Sequence, residues 1–304
     1  MKKTLLVLAL LLVATTICPA FAEKNHGGSG HKTAHDADAA YAKGDYQTAY
    51  EIWLTFADKG SYAQYSLGRL YANGQGVAQS NRTARDWWQK SMRDIEQSRV
   101  LLSILPEPSD PQYTYATIHE KWQPAAAAGD ADTQYKLAFL YLTGIGVPQN
   151  DTKALVWFEK AANQNHAAAQ YQLGKIHDRS NRVPCAAAQA IQWWEKASAL
   201  GNADAQNILA LRYDMGFHLT PHYPRDECRA IALREQAAAQ GHPEAQTWLA
   251  QTYMYDQPHC NLVANRDKAR ALLEQAIANG GKNTRKQAER VLYALEHNGR
   301  YPTP

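Results

Sequence analysis

The octapeptide Ala-Asp-Thr-Gln-Tyr-Lys-Leu-Ala at 131–138 returns as Ala-Ala-Ala-Gln-Tyr-Gln-Leu-Gly at 167–174 and as Ala-Asp-Ala-Gln-Asn-Ile-Leu-Ala at 203–210. Gln134, Gln170 and Gln206 stand 36 residues apart, and Gln64 and Gln246 extend the series on either side. A fixed period of this length constrains the chain to a solenoid. One unit cannot bury its apolar face alone, and stacking neighbours closes a continuous core. Solenoids present surface more often than they house chemistry.

The grammar of each unit is helical. Leu67, Leu70 and Tyr71 fall at the spacing of one buried stripe, as do Leu137, Leu140 and Tyr141. Gly74 with Gly76, and Gly144 with Gly146, then break the helix and reverse the chain. A second helix follows, in which Trp87, Trp88, Trp157, Trp193 and Trp194 are expected to pack between units. The pattern predicts an all-α solenoid of about six helix-turn-helix units over 36–298. The units fall at 36–60, 61–96, 97–130, 131–166, 167–202, 203–242 and 243–281, with a capping helix at 282–298 and a tail at 299–304. The unit at 97–130 is degenerate: Trp122 keeps the period, but Pro106, Pro108 and Pro111 impose an irregular loop.

The N-terminus reads as a signal peptide. Lys2 and Lys3 precede the apolar run Leu5 to Ala14, and Ala20-Phe21-Ala22 is a small-x-small cleavage site, so cleavage is expected after Ala22. Cys18 follows the bulky Ile17, which argues against lipid attachment. The expected location is periplasmic or secreted. Residues 23–35 are polar and glycine-rich, and are expected to form a disordered tether. No later segment is apolar enough to span a membrane. Removing the two signal lysines takes the formal charge from +3 to about +1. A near-neutral chain has no general attraction to nucleic acid.

Three cysteines remain after cleavage: Cys185, Cys228 and Cys260. An oxidising compartment favours one disulfide among them. Cys228 and Cys260 sit at comparable places in adjacent units and are the favoured pair, with Cys185–Cys228 as the alternative.

The residues Ala-x-x-x-Leu-Gly-x-x-Tyr, then Gly-x-Gly-Val, then Lys-Ala-x-x-Trp-Phe-x-Lys-Ala-Ala resemble the Sel-one-like repeat family, relatives of the tetratricopeptide repeats. The resemblance is close at 62–91 and 131–166, good at 167–202, partial at 203–281 and poor at 97–130. It implies antiparallel helix pairs stacked into a right-handed superhelix, and a role in protein–protein interaction. Exported bacterial members are similar in serving secretion, envelope assembly, host contact or inhibition of a toxin.

Catalytic signatures are missing from the sequence: there is no His-Glu-x-x-His, Gly-x-Ser-x-Gly, phosphate loop or dinucleotide fingerprint. Glu159, Glu195, Glu235 and Glu274 recur at one repeat position, which points to a solvated face or inter-helix ion pairs rather than a general acid. His218, His222, Cys228, His259 and Cys260 are zinc-type ligands in neighbouring loops, but their spacing matches no usual zinc pattern. The expectation is therefore a chain that is not an enzyme and holds no cofactor or metal.

The first helices are expected to line the concave face. One column of free positions runs Ser66, Lys136, Gln172, Ile208, Trp248, and a second runs Arg69, Phe139, Lys175, Leu211, Gln251. Toward the C-terminus the columns turn apolar, with Met254 nearby, and an exposed apolar patch marks an interaction site. The expected function is a scaffold that grips a protein or peptide through Lys136, Phe139, Lys175, Ile208, Leu211, Trp248, Gln251 and Met254. The repeating glutamines Gln134, Gln170, Gln206 and Gln246 are expected to orient the partner. Two alternatives are a periplasmic immunity protein against a toxin, and a metal-binding or enzymatic protein using the 218–260 loops.

Overall fold

The computed structural model describes residues 33–106, 114–179, 184–216 and 225–297. The signal segment, and the tether up to residue 32, lie outside them. Among the described residues there are fifteen α-helices and one short 3-10 turn, Pro258–Cys260. The first helix, α1 (Ala34–Ala42), already includes His35, because Thr33 caps it by accepting from the Asp36 amide. The expected tether is therefore shorter by two residues.

Six antiparallel pairs follow one another. They are α1 with α2 (Tyr46–Phe56), α3 (Ser61–Asn73) with α4 (Asn81–Ser91), and α7 (Ala131–Thr143) with α8 (Asp151–Ala162). The others are α9 (Ala167–Arg179) with α10 (Pro184–Ala199), α11 (Ala203–Met215) with α12 (Glu227–Ala239), and α13 (Pro243–Tyr253) with α14 (Arg266–Asn279). The second helix of a pair also packs on the first helix of the next, and α15 (Lys282–Glu296) closes the stack against α14 and α13. Between α4 and α7 lie α5 (Glu96–Ile104) and α6 (Tyr115–Ala127).

Local sequence fixes these elements. Asp130, Asn150, Asn202 and Asn265 each cap a helix, accepting from the amide three residues on. At the reversal after α7, Gly144 is left-handed with φ of 69° and Gly146 with φ of 70°. A Cβ at Gly146 would overlap the Tyr115 backbone, and one at Gly76 would overlap that of Tyr46. These two turns thus seat directly on the second helix of the unit before.

The buried tryptophans obey the same rule twice. Trp88 and Trp194 are fully buried, and each indole donates to a first-helix carbonyl, Tyr65 and Tyr171 respectively, at 3.3 Å. Gly68 and Gly174 leave the space each ring occupies. Trp87, Trp157 and Trp193 also pack against core clusters that span neighbouring units, but less completely. They are half-buried, and the ammonium of Lys90, Lys160 or Lys196 lies 4.1, 4.1 or 4.3 Å from the ring centroid. An (i, i+3) lysine on the same helix covers part of the face that the core leaves open.

The unit at 97–130 breaks the pattern. Its α5 packs on α4 but does not pair along its length with α6, as the two helices of every other unit do. Instead, units that should be separated by α5 touch. The Asn73 side chain at the end of α3 donates to the Gly144 carbonyl at 2.7 Å and accepts from the Gly146 amide at 2.9 Å. So α5 has left the first-helix layer, and α3 meets the turn after α7 directly.

Candidate functional site

The inner face is the side of the first helices turned away from the second helices. Its two columns behave differently along the stack. Near the N-terminus they are covered: Ser66 is buried, Phe139 is 1% exposed and Gln172 is 5% exposed. Toward the C-terminus they open, with Leu211 37% and Trp248 39% exposed.

The displaced α5 accounts for much of the cover. Glu96 accepts from Gln172 Nε2 at 2.7 Å and pairs with the Lys175 ammonium, both on α9. One turn on, Arg99 reaches Asp204 on α11 at 3.0 Å. Just before α5, Asp94 accepts from the Ser61 hydroxyl at 2.6 Å and from the Lys282 amide, joining the starts of α3 and α15. One short segment therefore touches first helices that are far apart in sequence.

Electrostatics follow from this arrangement. Burial alone would raise the Asp204 pKa, but the hydrogen bond from His242 and the charge of Arg99 outweigh it and hold the carboxyl at about 2. Tyr135 and Tyr171 are pushed well above their ordinary range, first by burial and then by the nearby Glu96 and Asp204 carboxylates.

The expected site residues separate accordingly. Phe139 is core, packed among Tyr135, Leu140 and Phe158, and is unavailable to a partner. The repeat pattern alone does not mark this position as buried, because its counterparts Arg69, Lys175 and Leu211 are only partly covered. Lys136 pairs with Asp132 on its own helix, with its ammonium 5.8 Å from the Trp122 ring centroid. Lys175 is taken by Glu96. Ile208 is half-buried against the Trp194 cluster. Gln251 is half-buried, and so is Met254, which packs on the C-terminal core.

Leu211 and Trp248 remain accessible, with Met215 beyond them at 50% exposure. Trp248 is held in place: the Arg234 guanidinium lies 5.3 Å from its ring centroid, and Arg234, itself buried, pairs with Asp214. A ring fixed in this way loses little freedom when a partner covers its outer face.

The repeating glutamines do not face a partner. All four are buried, and their amides donate backward to the last turn of the preceding helix pair: Gln134 to Ala126, Gln170 to Ala162, Gln206 to Ser198 and Gln246 to Ala238. They satisfy carbonyls that a helix end leaves open, so their period reflects stacking rather than recognition. Two of the recurring carboxylates bridge helices. Glu195 accepts from Tyr213 and Arg229, and Glu235 accepts from Tyr253.

Cys228 and Cys260 form a disulfide with an S–S distance of 2.03 Å, tying the start of α12 to the turn after α13. His259 lies beside it, Nε2 2.9 Å from Glu227 Oε2. These two sulfurs and the imidazole are close enough for a metal, but the disulfide uses both thiolates that zinc would need. His218, His222 and the Cys185 side chain lie outside the described residues. No helix among the described residues is long and apolar enough to cross a membrane.

Paired helices, glycine reversals and backward-donating glutamines define an α-solenoid of short repeats. The Sel1 repeat model matches 61–91, 131–166, 167–202, 203–242 and 243–281, more than half of the sequence, and the chain belongs to the Sel1 repeat family. Sel1 repeats generally mediate protein–protein interaction. No curated protein matches the sequence. Solved structures do. A Sel1 repeat protein from Oxalobacter formigenes is 24% identical, with 89% of this chain and 90% of that one covered and a TM-score of 0.46. A protective antigen of uropathogenic Escherichia coli with an SLR fold is 26% identical over 88% of this chain, with a TM-score of 0.52. The match spans only 57% of that antigen. An immunity protein from Pseudomonas aeruginosa is 17% identical, covering 88% of this chain and 85% of that one, with a TM-score of 0.29.

Proposed function

We propose that the protein is a non-catalytic adaptor that captures a protein partner through the open, C-terminal part of its inner face. The observation that carries this reading is the exposure of Leu211 and Trp248 at positions whose counterparts in earlier units are covered. A tryptophan held by a buried arginine is a typical anchor for an interface. The Cys228–Cys260 disulfide supports work outside the cytoplasm, where such bonds persist.

The test is affinity capture from an envelope extract with wild type, Trp248→Ala, and Val263→Ala as a control at an exposed site elsewhere. A partner retained by wild type and the control but lost with Trp248→Ala supports the reading, provided circular dichroism shows the variant folded. Undiminished capture by the folded Trp248→Ala variant would refute it. A single tight partner fits an immunity role, and several weaker ones fit an adaptor.

A further inference from the structure

The helix α5 meets the inner face as a bound ligand meets a groove. It stands outside the first-helix layer, and its contacts with α9 and α11 are polar: Glu96 to Gln172 and Lys175, Arg99 to Asp204. Its other side carries Leu101 and Leu105, buried in the cluster that contains Trp88. Beside the polar side of α5, an open cleft of about 200 Å³ lies among Tyr65, Arg69, Gln97, Thr143, Gln172 and Lys175.

We propose that α5 is a resident stand-in for the partner. The inner face recognises an amphipathic helix of the pattern Glu-x-x-Arg-x-Leu-x-x-x-Leu, and such a helix takes the place of α5. The pattern is that of residues 96–105, read against the groups that receive it. Lys175 and Gln172 demand a carboxylate. Asp204 demands a cation one turn later, and a guanidinium satisfies both carboxylate oxygens, as Arg99 does at 3.0 and 3.3 Å. The two charges lie on different first helices, so they fix the direction of the bound helix as well as its composition. A helix with the charges exchanged meets like charge at both ends.

This rests on the reading that the inner face takes a protein partner, and it is tested without Trp248 or Leu211. In the full chain, the double substitution Glu96→Lys with Arg99→Glu sets α5 against Lys175 and Asp204. The probe is a fluorescent synthetic peptide of residues 91–106. We expect it to bind the double variant at least ten-fold more tightly than wild type, with the charge-exchanged peptide failing to bind. Equal binding to both proteins, or none to a variant that melts cooperatively, overturns the proposal.

If the variant does not fold, amide exchange in the wild type decides. The α5 amides should exchange at least ten-fold faster than those of α7, through an opening insensitive to dilute denaturant. Exchange of α5 only with global unfolding overturns the proposal. Loss of the α5 result leaves the capture experiment standing, and loss of capture leaves these readouts interpretable.

Discussion

The two ends of the inner face are built from the same repeat positions and carry opposite properties. In α3, α7 and α9 those positions hold Ser66, Phe139 and Gln172, all buried, and Lys175, engaged by Glu96. In α11 and α13 they hold Leu211 and Trp248, both exposed. Where polar or aromatic residues are covered and apolar ones are bare, composition does not explain burial. Over α9 and the start of α11 the cover is the excursion of α5. It brings α3 against the turn after α7 and lays charged side chains over α9 and the start of α11.

The outer core should be indifferent to this difference, and the largest substitutions test that. Trp88 belongs to the covered region and Trp194 to the boundary with the open one, yet each ring has the same glycine below it and the same kind of carbonyl partner. Trp88→Ala and Trp194→Ala should each lose about 3–5 kcal/mol in urea unfolding. A gap between them well outside error would mean that α5 supports the core near Trp88 far more than its packing shows.

The open region has its own brace. The Cys228–Cys260 bond closes a sequence separation of 32 residues around α12 and α13. Replacing both cysteines by serine should cost about 3–4 kcal/mol by loop-closure entropy. Thermal melts with and without reductant would show the same loss in wild type and none in the variant. Leu101→Ala, fully buried in the covered region, should cost about 2–5 kcal/mol.

Charge separates the regions more gently. The Asp204 carboxyl, facing Arg99 and His242, has a pKa of about 2 against an ordinary 3.8. A depressed folded-state pKa adds stability that is complete above the ordinary value and is lost as pH falls toward the folded one. Asp204→Asn should therefore cost on the order of 1 kcal/mol at neutral pH, discounted for its partial exposure, and the gap should close between about pH 4 and pH 2. A gap that persists at pH 2 would assign the effect to packing instead of charge.

Much of the fold was legible because it depends on local rules. The glycine pairs, the aliphatic stripes and the 36-residue period each report contacts inside one unit or to its neighbour. The exposure of the inner face was legible only at its C-terminal end, where Leu211 and Trp248 stay open. Phe139 was misjudged because the column treats every first-helix position alike, whereas this one packs beside Tyr135 in the cluster that joins several units. The glutamines were misjudged for a different reason: their regularity looked like a recognition ladder, yet each serves a carbonyl eight residues earlier. A signal for α5 was present in the poor repeat match at 97–130 and in Glu96 and Arg99 on one helical face, but their partners lie 79 and 105 residues away. No periodicity links such distant positions.

The smallest expected effect on stability is the most informative for function. Leu211 shares its column with Phe139, two units earlier, and with Gln251 at the C-terminal end. Glutamine is therefore an accepted occupant of this position, and its helix propensity is close to that of leucine. Leu211→Gln should move stability by no more than about 0.5 kcal/mol, as surface substitutions do, while Phe139→Gln at the same repeat position should unfold a large fraction of the chain. If the open end of the inner face is the working surface, Leu211→Gln should still weaken partner capture, because it removes apolar area that only a partner covers. Comparing unfolding midpoints with retained partner for the two variants separates the roles. Loss of capture without loss of stability places the column's function at α11, whereas equal stability losses in both would show that Leu211 is core as well.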